Sequence, residues 1–328
     1  MPRIPDVIVG HDKQKGELLR DIASGNVAHA YLFTGAPHLG KLTIAQWFGT
    51  LLLSEHVAPE MRGRVKQEIE KFIHPEFLCL DDLWIEEVNE DWAVIGKSSN
   101  TPQQHRSKAP AARTDTISIE DVRALAERLH ETGAGPHLVC IIRGIERMQS
   151  AAANAFLKIL EEPPSRVVFL LTTDNVNLVL PTVLSRVRVL RFSPVTRKDM
   201  EPLVDGQDES DAAFALHIAQ GAPGMLTRLL EDPELLRTHR QMHAQAKQFW
   251  QSTTLKDRLA WLTGVMEKTK SPDLALLHLG LTLREYPDPL FRAKTAGAYA
   301  DLLEKLETNA HRGLLYERFA LAIDHPGC

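Results

Sequence analysis

Cysteine is scarce in this chain of 328 residues. Only Cys79, Cys140 and Cys328 occur, far apart and odd in number. They build neither a disulfide framework nor a CxxC zinc pair, which suits a reducing compartment. Long apolar runs are also missing. No stretch reaches the ~18 residues of a membrane span, and the opening "MPRIPDVIVGHDKQKG" has no apolar leader core. A cytoplasmic location is the expectation. An excess of positive charge is absent too: 38 basic against 43 acidic residues give a net charge of −5. That argues against sequence-independent nucleic-acid binding over the whole surface, although a local basic patch is compatible with it. The five tryptophans, Trp47, Trp84, Trp92, Trp250 and Trp261, are scattered and show no alternation with basic residues. The fourteen histidines include no H-E-x-x-H or H-x-x-E-H spacing, so none is assigned to a metal.

What is present is an ordinary soluble composition, 44% hydrophobic and 25% charged, in a chain long enough for two or three domains. Strand-like and helical runs alternate through the first two-thirds, predicting a mainly parallel sheet covered on both faces. The strand candidates are 30–34, 76–80, 137–142, 166–172 and, as a half-exposed edge, 187–192. Helices are expected at 41–53, at 118–131 and after the strand at 137–142. Ser118 and Asp121 are spaced as a capping box, and Val122, Leu125, Ala126 and Leu129 form an apolar stripe. The polar run 96–113 has no period and reads as a surface excursion. Beyond about residue 209 the chain reads as helices alone.

"FTGAPHLGKLT" (33–43) places Gly35, Gly40 and Lys41 in G-x4-G-K spacing between a strand and a helix, the context of a phosphate loop. Glycines let backbone N–H groups turn inward on phosphate oxygens, and the lysine reaches the outer phosphates. The next residue should carry a hydroxyl for Mg²⁺. Leu42 stands there, and Thr43 is rotated about 100° away on a helix. At the end of strand 137–142, where acidic residues would hold the ion, the chain has Arg143 and Gly144; only Glu146 is acidic. A guanidinium repels a divalent cation. Both halves of the metal site are altered, so hydrolysis by this chain alone is not expected. Whether ATP or ADP still binds is left open, as is a re-sited metal held by Asp174 or Glu146.

With these motifs in hand, the chain resembles bacterial clamp-loader subunits of the AAA+ superfamily over roughly residues 7–230. The resemblance rests on "VGHDKQKGELLRDIASGNVAHAYLFTGAPHLGK", "HPEFLCLDD", "ISIEDVRALAERL", "IERMQSAAANAFLKILEEPPSRVVFLLTTDN" and "LPTVLSRVR", in that order. It implies a RecA-like α/β domain at 1–193, a helical lid at 194–232 and an all-α collar at 233–328. It also implies partners: gamma/tau motor subunits and delta in a hetero-pentameric ring, with the sliding clamp and primed DNA met through the complex, and no membrane. Non-motor members lend an arginine to a neighbour's ATP site. Ser185-Arg186-Val187 matches their motif with Val in place of Cys, so Arg186 carries over as an arginine finger. Thr173 matches the polar sensor, although in an altered site capping the strand end is the favoured reading. Met225 replaces the basic residue expected at the lid helix, and Arg228 one turn on is expected to face solvent. The four-cysteine zinc module of many members cannot form, since only Cys79 lies in the interval. No zinc or other cofactor is therefore expected. Two alternatives remain: an active ATPase with re-sited ligands, and an interaction protein that has left replication.

Overall fold

Five strands run parallel in the order β2-β3-β4-β1-β5: β1 Ala30–Thr34, β2 Phe77–Leu80, β3 Leu138–Ile142, β4 Val167–Thr173 and β5 Arg188–Arg191. The computed structural model describes residues 8–71, 73–80, 116–129, 135–252, 254–268, 272–306, 308 and 311–323. The 96–113 run, Trp84, Trp92 and Cys328 lie outside them. All five expected strands form, each within a residue or two of its sequence bounds. β5 is an edge strand and half-exposed, as expected: Arg188 and Arg191 face solvent, Val189 is half-buried and Leu190 buried, without a strict alternation.

Side chains of successive strand residues point to opposite faces, and this period divides the core. Tyr31, Phe33, Cys79, Val139, Ile141 and Leu170 pack on one face, under helices α1 Asp12–Ala23, α2 Lys41–Ser54 and α3 Pro59–Glu70. Leu32, Leu78, Cys140, Ile142, Phe169 and Leu171 pack on the other, under α4 Ile119–Leu129 and α5 Ser150–Glu161. The strands are apolar throughout because both faces are covered. α1 and α3 were not read from the sequence: their polar residues outweigh a few buried ones, Leu18 and Asp21 in α1, Val65 and Ile69 in α3. α4 starts as its capping box demands. The Ser118 N–H donates to Asp121 Oδ2 at 2.9 Å, and the Asp121 N–H donates to Ser118 Oγ at 3.3 Å.

After β4 come the short helices α6 Pro181–Leu184 and α7 Arg197–Met200, then α8 Glu209–Ala219, α9 Pro223–Glu231, α10 Pro233–Gln251, α11 Leu255–Lys268, α12 Pro272–Glu285, α13 Pro289–Leu306 and α14 Arg312–Leu321. The expected run of helices past residue 209 is thus observed. By compactness the chain divides into two units. One holds residues up to 205 with 219–225, and the other holds 206–218 with 226–328. The second unit has its own core around Trp250, whose indole N–H donates to the Leu279 carbonyl and to Thr282 Oγ1. Among the described residues, no helix is long and apolar enough to cross a membrane.

Candidate functional site: a closed phosphate loop and a paired surface arginine

The loop from β1 to α2 has the backbone its glycines require. Gly35 approaches the Phe192 carbonyl so closely that a Cβ would lie 2.5 Å from the oxygen, and Gly40 takes a left-handed φ of 87° at the start of α2. Lys41 is nearly fully buried. Its ammonium donates to the carbonyls of Gly35 at 2.6 Å and Ala36 at 2.7 Å, and to Asp174 Oδ1 at 2.6 Å. The side chain that should meet phosphate oxygens is thus folded back onto its own loop and neutralised by a carboxylate from the end of β4. A further loop carbonyl is taken by α9: the Gly224 N–H donates to the His38 oxygen at 2.9 Å. Gly224 permits this approach, since a Cβ there would sit 2.9 Å from that oxygen. His11 Nε2 donates to the Leu39 carbonyl at 2.7 Å, and burial, the largest influence on its ring, lowers its pKa, so it is held neutral. Leu42 packs against the core below the loop.

β1, β3 and β4 end side by side, and their last residues complete the site. Arg143 and Gly144 follow β3, with Gly144 donating its N–H to Thr172 Oγ1 at 3.3 Å. The Asp174 N–H donates to Glu146 Oε1 at 3.1 Å. Thr173 is buried at the strand end and its hydroxyl accepts the Asn175 N–H at 3.1 Å, a local strand-end cap. Gly35, Gly40, Lys41 and Thr173 therefore gather at the C-terminal ends of adjacent parallel strands. The residues do not fit a magnesium–triphosphate group. No hydroxyl follows Lys41, a cation follows β3, and the one carboxylate beside Lys41 is already committed to it. Asp174 was visible in the sequence only as an alternative metal ligand. Its pairing with Lys41 spans 133 positions of chain, and no spacing signals it.

Arg186 lies apart from this group. It precedes β5, and the parallel register Tyr31↔Arg188 sets it near the N-terminal end of β1, whereas the phosphate loop leaves the C-terminal end. Five residues of strand, about 16 Å, separate the two levels. Arg186 is exposed by about a third of its side chain. Its Nη1 donates to the Thr182 carbonyl at 2.9 Å and to Ser185 Oγ at 3.0 Å, and its Nη2 donates to Glu161 Oε1 at 2.9 Å. Glu161 belongs to "EEPP", which the sequence marks as a helix stop; its pairing with Arg186 was not legible there. Of the lid positions, Met225 is half-buried and Arg228 is exposed, as expected.

An all-parallel sheet with a glycine–lysine phosphate loop after its first strand defines the α/β nucleoside-triphosphate-binding fold, here followed by helices. Residues 10–196 match the family described as DNA polymerase III, delta subunit, and the chain belongs to that family. It is 29% identical to DNA polymerase III subunit delta' of Bacillus subtilis over 233 residues, 70% of this chain and 60% of that protein. It is 26% identical to subunit delta' of Escherichia coli over 69% of this chain and 75% of that one. Subunit gamma of Buchnera aphidicola is 27% identical over 54% of this chain and 41% of its own length. The matched region thus spans well under two thirds of some relatives.

Proposed function

We propose that this chain is a non-hydrolysing clamp-loader subunit that supports ATP-driven loading of a sliding clamp onto primed DNA, with Arg186 serving the ATP site of a neighbouring motor subunit. One observation carries the reading: the ammonium of Lys41 is saturated by Asp174 and two carbonyls of its own loop. A triphosphate would have to displace all three contacts, and Leu42, which follows Lys41, offers its metal no hydroxyl. The opposite position of Arg186 on the sheet supports action in trans. A guanidinium that cannot reach its own loop can still lower the barrier in another subunit by neutralising charge on the γ-phosphate oxygens. Gamma/tau motor subunits and delta, in a five-membered ring in the cytoplasm, are the partners this reading requires. The sequence boundaries 1–193, 194–232 and 233–328 are its domains.

The competing reading is an ATPase whose metal is held by Asp174 and Glu146. It requires Asp174 to leave Lys41 and Glu146 to leave the Asp174 N–H. Turnover of Mg-ATP by the purified chain separates the two. We expect background hydrolysis; turnover that disappears with Lys41→Ala would establish the ATPase.

A further inference from the structure

We propose that His217, His243 and Glu285 form a binding site for one zinc-type divalent ion within the helical unit. The three residues come from three helices, α8, α10 and α12, so no sequence spacing announces them. His217 Nε2 lies 2.7 Å and His243 Nε2 3.3 Å from the same carboxylate oxygen, Glu285 Oε1, and all three donor atoms fall within 4.8 Å of one another. Ligands at about 2.0–2.2 Å from a tetrahedral zinc stand roughly 3.4 Å apart, inside that span. Two imidazoles and one carboxylate are a donor set that zinc accepts, with a fourth position left for water.

The surroundings suit a ligand set. Lys247 donates to the other carboxylate oxygen, Oε2, at 2.8 Å and so orients Oε1 toward the imidazoles. Burial is the largest influence on Glu285 and works to raise its pKa, but the Lys247 hydrogen bond and charge help bring the net shift downward. Behind His243, the ring nitrogens continue in a buried line. His243 Nδ1 is 3.3 Å from His278 Nδ1, and His278 Nε2 is 3.0 Å from His239 Nδ1. With an ion in place, His243 would ligate through Nε2 while its Nδ1–H donates to His278 Nδ1, the backing that metal-bound imidazoles take. Burial is the largest influence on His239, His243 and His278 and lowers the pKa of each. A cavity of about 210 Å³ bordered by Lys247, Glu285 and Tyr286 lies on the Glu285 side of the cluster. The site is independent of the phosphate loop and of the cysteine module, and its origin on three helices escapes the spacings by which no histidine was assigned to a metal.

The test uses the full chain, stripped with chelator and titrated with Zn²⁺ against a chromogenic competitor, and with Co²⁺ by visible absorption. We expect one equivalent bound more tightly than about 1 µM, and an unfolding midpoint that rises with Zn²⁺. His217→Ala and Glu285→Gln should each weaken binding by ~10-fold or more, whereas His137→Gln, in the α/β unit, should leave it unchanged. Circular dichroism of each variant confirms that it folds. Absence of stoichiometric uptake, or uptake that ignores His217→Ala and Glu285→Gln in folded protein, would overturn the site.

Discussion

Arg186 and Glu161 form an ion pair of 2.9 Å on the surface of the α/β unit, joining the turn before β5 to the last residue of α5. With both side chains a third to a half exposed, the pair contributes little to stability, within about 0–1 kcal/mol. Its consequence is geometric. The guanidinium is held against the Thr182 carbonyl, Ser185 and Glu161.

If that charge serves a neighbour, Arg186→Ala should depress hydrolysis at the adjoining motor subunit's ATP site by ~10³-fold. Single-turnover quench on a reassembled complex, with only that site left competent, reads the effect. Glu161→Gln should change the same rate by less than ~10-fold, since it loosens the arginine without removing it. An unchanged rate with Arg186→Ala would remove the finger role.

The closed phosphate loop predicts a gain rather than a loss. Asp174→Ala removes the carboxylate that competes with phosphate for Lys41, so ADP and ATP affinity should rise by about tenfold, or 1.4 kcal/mol. Titration calorimetry without magnesium measures it. Equal affinity in the two proteins would mean that the loop carbonyls alone hold Lys41 back.

A third expectation concerns the edge strand. Asp21 on α1 is buried and accepts both Arg188 Nη1 contacts at 2.6 Å, as well as the Tyr31 hydroxyl at 2.8 Å. The Asp21 bond is the largest influence raising the Arg188 pKa, and burial is the largest raising that of Tyr31. Asp21→Ala removes the near carboxylate from Arg188, which keeps Glu17 at 3.9 Å, and the acceptor from the Tyr31 hydroxyl, which still accepts the Ala28 N–H at 2.9 Å. The α/β unit should lose about 1–3 kcal/mol, the cost of leaving the buried Tyr31 hydroxyl without its acceptor, since Arg188 is exposed enough to be solvated. Urea unfolding followed by circular dichroism checks this, and Asp21→Asn should cost less.

The buried histidines set a pH dependence. His278 is pulled down to about 3, chiefly by burial, and His239 and His243 are lowered from 6.5 for the same leading reason. Above pH 6.5 folded and unfolded chains hold these rings alike neutral, and stability is flat. Below it the unfolded chain takes up protons that the folded chain refuses, so stability falls as pH drops from about 6.5 toward 3. His278→Gln should flatten that slope in metal-free protein. A midpoint independent of pH between 7 and 5 would contradict the burial.

Local chemistry made much of this protein legible in one dimension. The apolar strand run at 30–34 and the Ser118–Asp121 box depend on neighbours within a few positions, and both formed as read; Gly35, Gly40 and Lys41 stand between a strand and a helix, where their spacing put them. The substitution of Leu42 and Arg143 for metal-binding residues was equally plain. Tertiary structure alone decided what Lys41, Arg186 and the histidines touch. Asp174 reaches Lys41 across 133 residues, Glu161 reaches Arg186 across 25, and His217, His243 and Glu285 meet from three helices. Such contacts leave no periodic trace, because a hydrogen bond or ion pair responds to distance in space, and only the packing of strands and helices brings distant positions within 3 Å.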